Sequence, residues 1–233
     1  MVERIGFDAR AAFLDPHRGL GRVTASLAAA LLDMAGPRIV LFVPHDASVP
    51  PAWYTAGAAI VRLRRPKRGA FLFDAAAWRF TLARHPVDVL HLPAWGVPRG
   101  LPVAVVATFC DATPFRFPSP AAAWPRLRAR RGIRSVSRAD LVHAISAAAA
   151  SELLKFTPTS PERIRVVHLG VGPPFAPAAE DGERRHLLFV GGSDPHKNLG
   201  LLLRMLRADS AAALPPLAVP LLVDNSARLY GFA

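Results

Sequence analysis

Residues 187–198, LLFVGGSDPHKN, place a glycine turn and then a lysine between an apolar strand and a helix. Such a turn points backbone N–H groups and one cation at a phosphate. Near the N-terminus an apolar strand over 5–8 is followed, after a longer loop, by Gly19-Leu20-Gly21-Arg22 and another apolar helix. Two glycine-turn units predict two nucleotide-fold domains. Strand, glycine turn and helix also serve every doubly wound fold as simple chain reversals, so each turn alone leaves a purely structural role open. A dinucleotide fingerprint is a poorer match, because Thr24 stands where a third glycine would let the helix approach its strand.

Working outward, short apolar runs at 5–8, 39–43, 59–63, 87–92, 103–109, 141–145 and 164–169 read as strands. Alanine- and leucine-rich segments at 23–34, 71–83 and 147–156 read as helices between them. This alternation predicts an α/β, doubly wound Rossmann-like domain with a mainly parallel sheet. Ser146 is placed to cap the helix that follows the strand ending at Ile145. The proline-rich stretch after Gly172 reads as a linker, giving an N-terminal domain over 1–172, a linker over 173–185 and a second Rossmann-like domain beginning at 186. That second domain is predicted to hold a strand from His186, the lysine turn, a helix over 198–206 and a strand over 219–223. With about 50 residues it is too short for a complete doubly wound unit.

With 233 residues, 52% of them hydrophobic, the chain has enough apolar surface for a real core. Its one cysteine, Cys110, excludes an internal disulfide and a cysteine zinc cluster and makes a reducing cytoplasm the default. No secretory pattern is visible, and the apolar stretch over 211–223 is interrupted by Pro215, Pro216 and Pro220, so a soluble or peripherally attached protein is expected. The formal net charge is +12, yet arginine supplies 26 of the 29 basic residues, a bias that a GC-rich coding sequence produces without selection for an anionic partner. Two clusters stand out: Arg62, Arg64, Arg65, Lys67 and Arg68, then Arg126, Arg128, Arg130, Arg131, Arg134 and Arg138. The second falls on a predicted helix and spreads over more than one face. A solvated surface and attraction to anionic lipid headgroups both fit it; nucleic acid is disfavoured, because no aromatic framework accompanies the arginines.

Six stretches, in this order, resemble the group-1 glycosyltransferases of the GT-B fold that retain anomeric configuration. They are Asp8 and Arg10 ahead of GLGRV; DVLHLPAWGVP at 88–98; TFCDATP at 108–114; ADLVHAISAAAASEL at 139–153; ERIRVVHLGVGPPF at 162–175; and VGGSDPHKNL at 190–199. The resemblance implies a first domain that binds acceptor and a second that binds a nucleotide diphosphate sugar. It implies transfer of a hexose to a hydroxyl of a glycan or lipid-linked acceptor, with no metal and no cofactor beyond the donor itself.

Carried over position by position, the resemblance assigns Gly19, Gly21, Gly191, Gly192, His196, Lys197 and Asn198 to donor binding. Lys197 would neutralise diphosphate charge as the nucleotide leaves, and His196 stands where relatives commonly carry arginine. Cys110 and Asp111 become candidates at the reacting centre, Cys110 occupying the place of a histidine that contacts the donor sugar. Asp111 fits both an acceptor-hydroxyl contact and a turn cap, while His91 and His143, at strand ends, read as packed structural histidines. The family's glutamate pair has no counterpart before Ala233, so an incomplete donor domain is expected. A non-catalytic binding module with a basic, membrane-facing surface is the alternative, and a cytoplasmic location at the inner membrane face fits both.

Overall fold

The computed structural model describes residues 2–14, 16–17, 19–64, 70–94, 96–117, 123–171, 187–189, 195–208 and 217–218. The chain divides into two compact units, Met1–Gly170 and Val171–Ala233.

In the first unit seven strands form one sheet: β1 (Ile5–Asp8), β2 (Ile39–Pro44), β3 (Ala59–Leu63), β4 (Val89–Leu92), β5 (Ala104–Phe109), β6 (Leu141–Ala144) and β7 (Ile164–Val166). Every neighbouring pair is parallel, in the order β3-β2-β1-β4-β5-β6-β7. The helices are α1 (Arg10–Leu14), α2 (Gly19–Ala35), α3 (Pro51–Thr55), α4 (Ala70–Arg84), α5 (Thr113–Arg116), α6 (Ala123–Ser135) and α7 (Ala147–Phe156). All seven strands fall on the predicted apolar runs, the run at 164–169 only over Ile164–Val166; the central ones are buried on both faces and so read as continuous hydrophobic segments. β2 is the extreme case, with all six residues buried.

The alternation of side chains along β2 splits the interior into two cores. Ile39, Leu41 and Val43 pack with Phe7, Ala28, Leu32 and Trp53 on the α2 and α3 side. Val40 and Phe42 join Trp78 and Leu82 of α4, Ile133 of α6 and Leu153 of α7 on the other. Gly6 of β1 sits where the strands crowd: a Cβ there would lie 3.0 Å from the Phe42 ring and 3.2 Å from Leu90, so no larger residue fits without displacing that core.

The chain winds from β1 outward to β3, then returns to β4 on the other side of β1 and continues to β7. That reversal leaves a topological switch point between β1 and β4, and in open parallel sheets ligands bind at the carboxyl ends of strands flanking such a point.

One expectation is corrected here. Gly19-Leu20-Gly21-Arg22 is not a turn preceding a helix that begins at Val23; it is the first turn of α2 itself. The first four N–H groups of a helix lack partners within it, so glycine there forfeits little. Thr24 is completely buried and donates its hydroxyl to the Leu20 carbonyl at 2.8 Å.

In the second unit β8 (Leu187–Leu188) and β9 (Leu217–Ala218) pair in parallel. A short 3-10 turn, Pro195–Lys197, leads through Asn198 into α8 (Leu199–Ala208). Asn198 has a φ of 53°, the left-handed region that asparagine tolerates better than most residues. The predicted linker over 173–185, the predicted strand over 219–223, Gly191 and Gly192 all lie outside the described residues.

Candidate functional site

The carboxyl ends of β1, β4, β5 and β6 gather most of the polar groups that the sequence singles out in the first unit. Asp8 closes β1 and accepts two hydrogen bonds from the Arg10 side chain, both at 2.8 Å, from Nε and Nη2. Such a two-pronged pair is rigid and directional. The Arg10 guanidinium also lies 5.3 Å from the centroid of the Trp78 ring, which fixes it against α4.

Beyond β5 the chain runs through Cys110 and Asp111 into α5. Asp111 Oδ1 accepts from the Thr113 N–H at 2.7 Å, so one carboxylate oxygen caps the turn. Glu152 on α7 holds the same loop: Oε2 accepts from the Ala112 N–H at 3.0 Å and Oε1 from Arg116 Nη1 at 2.8 Å. Phe115 stacks on Phe156 with ring centroids 4.9 Å apart, and Arg130 Nε donates to the Pro114 carbonyl at 3.1 Å. The loop bearing Asp111 is thus clamped from both α6 and α7. Burial, followed by the negative charge of Asp111, pushes the Cys110 thiol up to about 11. At neutral pH Cys110 is a protonated, weakly polar thiol and no nucleophile.

On the opposite face of the sheet three polar side chains form a row. His91 of β4, Thr108 of β5 and His143 of β6 alternate with Leu90, Leu92, Val105, Ala107, Phe109, Val142 and Ala144, all of which belong to the core beneath α4, α6 and α7. His91 Nε2 lies 2.8 Å from Thr108 Oγ1, which lies 3.2 Å from His143 Nδ1, and His143 Nε2 lies 2.8 Å from the Val167 carbonyl. The His91 ring meets Phe7 of β1 edge-on at 5.2 Å, across the switch point. Burial, reinforced by His143, lowers the His91 pKa to about 4. The expectation that both histidines are hydrogen-bonded structural groups describes these contacts, but the row they form with Thr108 was not visible in the sequence.

Gly19 opens α2 with nothing within 4 Å of the position its Cβ would take, whereas Gly21 is buried. In the second unit His196 is partly buried, and Lys197 and Asn198 are exposed just ahead of α8. The first-unit candidates Asp111 and Cys110 therefore share one sheet edge, and His196, Lys197 and Asn198 share one turn. Thr108 and Glu152, both outside the sequence-based candidates, are the groups that tie the first-unit edge together. Thr108 sits within the TFCD stretch; Glu152 gives no sign in sequence that it faces Ala112, 40 positions away. Among the described residues no three His, Cys, Asp or Glu side chains converge as a metal site would require. No helix of the described residues is long and apolar enough to cross a membrane.

Residues 17–173 match the sequence profile of glycosyltransferase family 4. More than half of the chain is covered, and the chain belongs to that family. No curated protein sequence matches it. Among solved structures the fold is similar to WaaG, a glycosyltransferase involved in lipopolysaccharide biosynthesis, with a TM-score of 0.59 at 15% identity over 92% of this chain and 62% of WaaG. It is also similar to Anabaena HepE in complex with UDP-glucose, with a TM-score of 0.52 at 14% identity over 98% of this chain and 66% of HepE. A third match is WaaB, a lipopolysaccharide outer core galactosyltransferase, with a TM-score of 0.50 at 13% identity over 82% of this chain and 53% of WaaB. The chain thus spans less than two thirds of the length of each of these three proteins. The shared feature is the Rossmann-like α/β fold of GT-B glycosyltransferases.

Proposed function

We propose that this chain acts in transfer of a hexose from a nucleotide diphosphate sugar to a hydroxyl of a glycan or lipid-linked acceptor, with retention of anomeric configuration. The observation that carries this reading is the family 4 match over residues 17–173, which covers the whole edge built from His91, Thr108, Asp111 and His143. The UDP-glucose bound to the similarly folded HepE supports a nucleotide sugar as donor. In this reading residues 1–172 receive the acceptor and residues from 186 onward hold the nucleotide, joined by a linker over 173–185. His196, Lys197 and Asn198, with Gly191 and Gly192, are the residues assigned to the donor diphosphate, and Gly19 and Gly21 are the donor-binding candidates of the first unit. Lys197 is exposed and sits in the turn before α8, free to meet an anion. The departing phosphate takes the acceptor proton on the attacked face, and no metal is needed.

Exposed arginines of α6, Arg128 and Arg131 among them, attract the headgroups of an anionic membrane and bring the site to a lipid-linked acceptor at the cytoplasmic face. Removing the charge of Lys197 tests the donor assignment. Lys197→Ala weakens binding of UDP, which presents a diphosphate, by about 1.5 to 3 kcal/mol, the size of a charge-assisted contact, and leaves uridine binding unchanged. Calorimetric titration of both ligands into parent and variant reads this. Equal UDP affinity in the two proteins removes Lys197 from the site.

A further inference from the structure

The row His91, Thr108 and His143 crosses three neighbouring strands and ends on the Val167 carbonyl just past β7, and with His143 as the neutral ring that carbonyl sets the direction of every bond in it. A carbonyl oxygen only accepts, so His143 Nε2 carries a hydrogen and donates to Val167. In a neutral ring the other nitrogen then has a lone pair, and His143 Nδ1 accepts from the Thr108 hydroxyl. Having given its only hydrogen to His143, Thr108 Oγ1 accepts from His91 Nε2. His91 is thereby the Nε2–H tautomer, and its Nδ1 is a lone pair. That nitrogen takes no hydrogen bond from a described residue, and the ring is partly exposed beside Phe7 at the switch point between β1 and β4.

We propose that His91 Nδ1 is a hydrogen-bond acceptor for a sugar hydroxyl at this switch point, with Thr108 and His143 as positioning residues that hold His91 in the accepting tautomer. The proposal rests on the glycosyl-transfer reading for the identity of the ligand, while the tautomer follows from the hydrogen bonds of a neutral His143. Its chemical content is selective. An outward lone pair receives a hydroxyl hydrogen and repels a phosphate oxygen, so this point of the first unit recognises the neutral, hydroxyl-rich part of a substrate. The placement of Phe7 edge-on to the ring keeps the imidazole from rotating its nitrogens out of line. A histidine free in solution interchanges its two tautomers; one tied through Thr108 to a backbone carbonyl does not.

The test is the nitrogen spectrum of the whole chain labelled with 15N-histidine, at pH 7, where two-bond proton correlations distinguish a protonated ring nitrogen from a bare one. We expect His91 with bare Nδ1 and protonated Nε2 in the free protein, and the same tautomer for His143. Thr108→Val, which keeps the shape and removes the hydroxyl, returns His91 to a mixture, and Thr108→Ser restores the single tautomer. Since the parent spectrum alone decides the tautomer, a Thr108→Val chain that fails to fold does not weaken the test. Titration with UDP-glucose, glucose and inorganic phosphate then reads the ligand. A shift of the His91 Nδ1 resonance with UDP-glucose or glucose, and none with phosphate, supports the proposal. A response to glucose from a chain that binds no UDP-glucose supports it while refuting the donor reading above. A protonated His91 Nδ1 in the free protein overturns it, as does a resonance that answers only to phosphate or to none of the three.

Discussion

At His91, desolvation sets a cost that pH makes visible. The ring ionises near 6.5 when exposed and at about 4 in the folded chain, principally because burial disfavours the imidazolium and secondarily because His143 lies beside it. Between those values the unfolded chain takes up a proton that the folded chain refuses. Stability from this group is therefore whole above about pH 6.5 and falls by about 3 kcal/mol as the pH drops to about 4, since each unit of difference is worth about 1.4 kcal/mol. Urea unfolding of the parent and of His91→Gln at pH 7 and pH 5 checks this, with the parent losing more stability on acidification than the variant. Equal losses would show that His91 does not titrate out of step with unfolding. Cys110 behaves in the opposite sense for the same reason: burial raises its pKa to about 11, and it contributes nothing ionic to the edge at neutral pH.

Among the elements, α7 shows how local sequence and long-range geometry divide the work. Ser146 precedes it in an extended conformation, φ −161° and ψ 165°, and its side chain accepts from the Ala149 N–H at 3.0 Å. This satisfies one of the unpaired donors of the helix start, and Ser146→Ala is expected to lower stability by about 1 kcal/mol while Ser146→Asp retains it. Thermal unfolding of the two variants reads the difference. The cap was legible because it depends on residues three apart, and the strands were legible because burial on both faces leaves an unbroken apolar run such as IVLFV at 39–43. Other features were not. Glu152 clamps a loop 40 residues distant, and Thr108 meets His143 across 35 positions; only the parallel register of β5 and β6 makes Thr108 and His143 neighbours. GLGR misled for a different reason, since glycine marks a turn by default and here occupies the first helical turn, where its lack of side chain costs least.

For the whole molecule the decisive quantity is the net charge of +12, and the structure shows which arginines already hold contacts within the chain. Arg62 donates through Nη1 to the His45 and Ala47 carbonyls at 3.0 and 2.8 Å. On α6, Arg130 and Arg134 lie one turn apart with their guanidinium carbons 5.2 and 5.5 Å from the Phe115 ring centroid. Arg128, Arg131 and Arg134 are all exposed on this helix, Arg134 while it also lies against Phe115. If an anionic membrane is the partner, Arg128 and Arg131 each contribute about 1 kcal/mol of attraction near the surface. Replacing Arg128 and Arg131 with glutamine is then expected to weaken co-sedimentation with phosphatidylserine-containing vesicles about 30-fold, the equivalent of roughly 2 kcal/mol, without lowering the unfolding temperature. Raising the salt concentration weakens the parent's binding in the same direction, because screening reaches exposed charges first. Replacing Arg130 and Arg134 instead lowers the unfolding temperature, as the loop after β5 loses its contacts on α6. Equal binding of the parent to neutral and anionic vesicles would assign the basic excess to composition alone and detach the acceptor from the membrane surface.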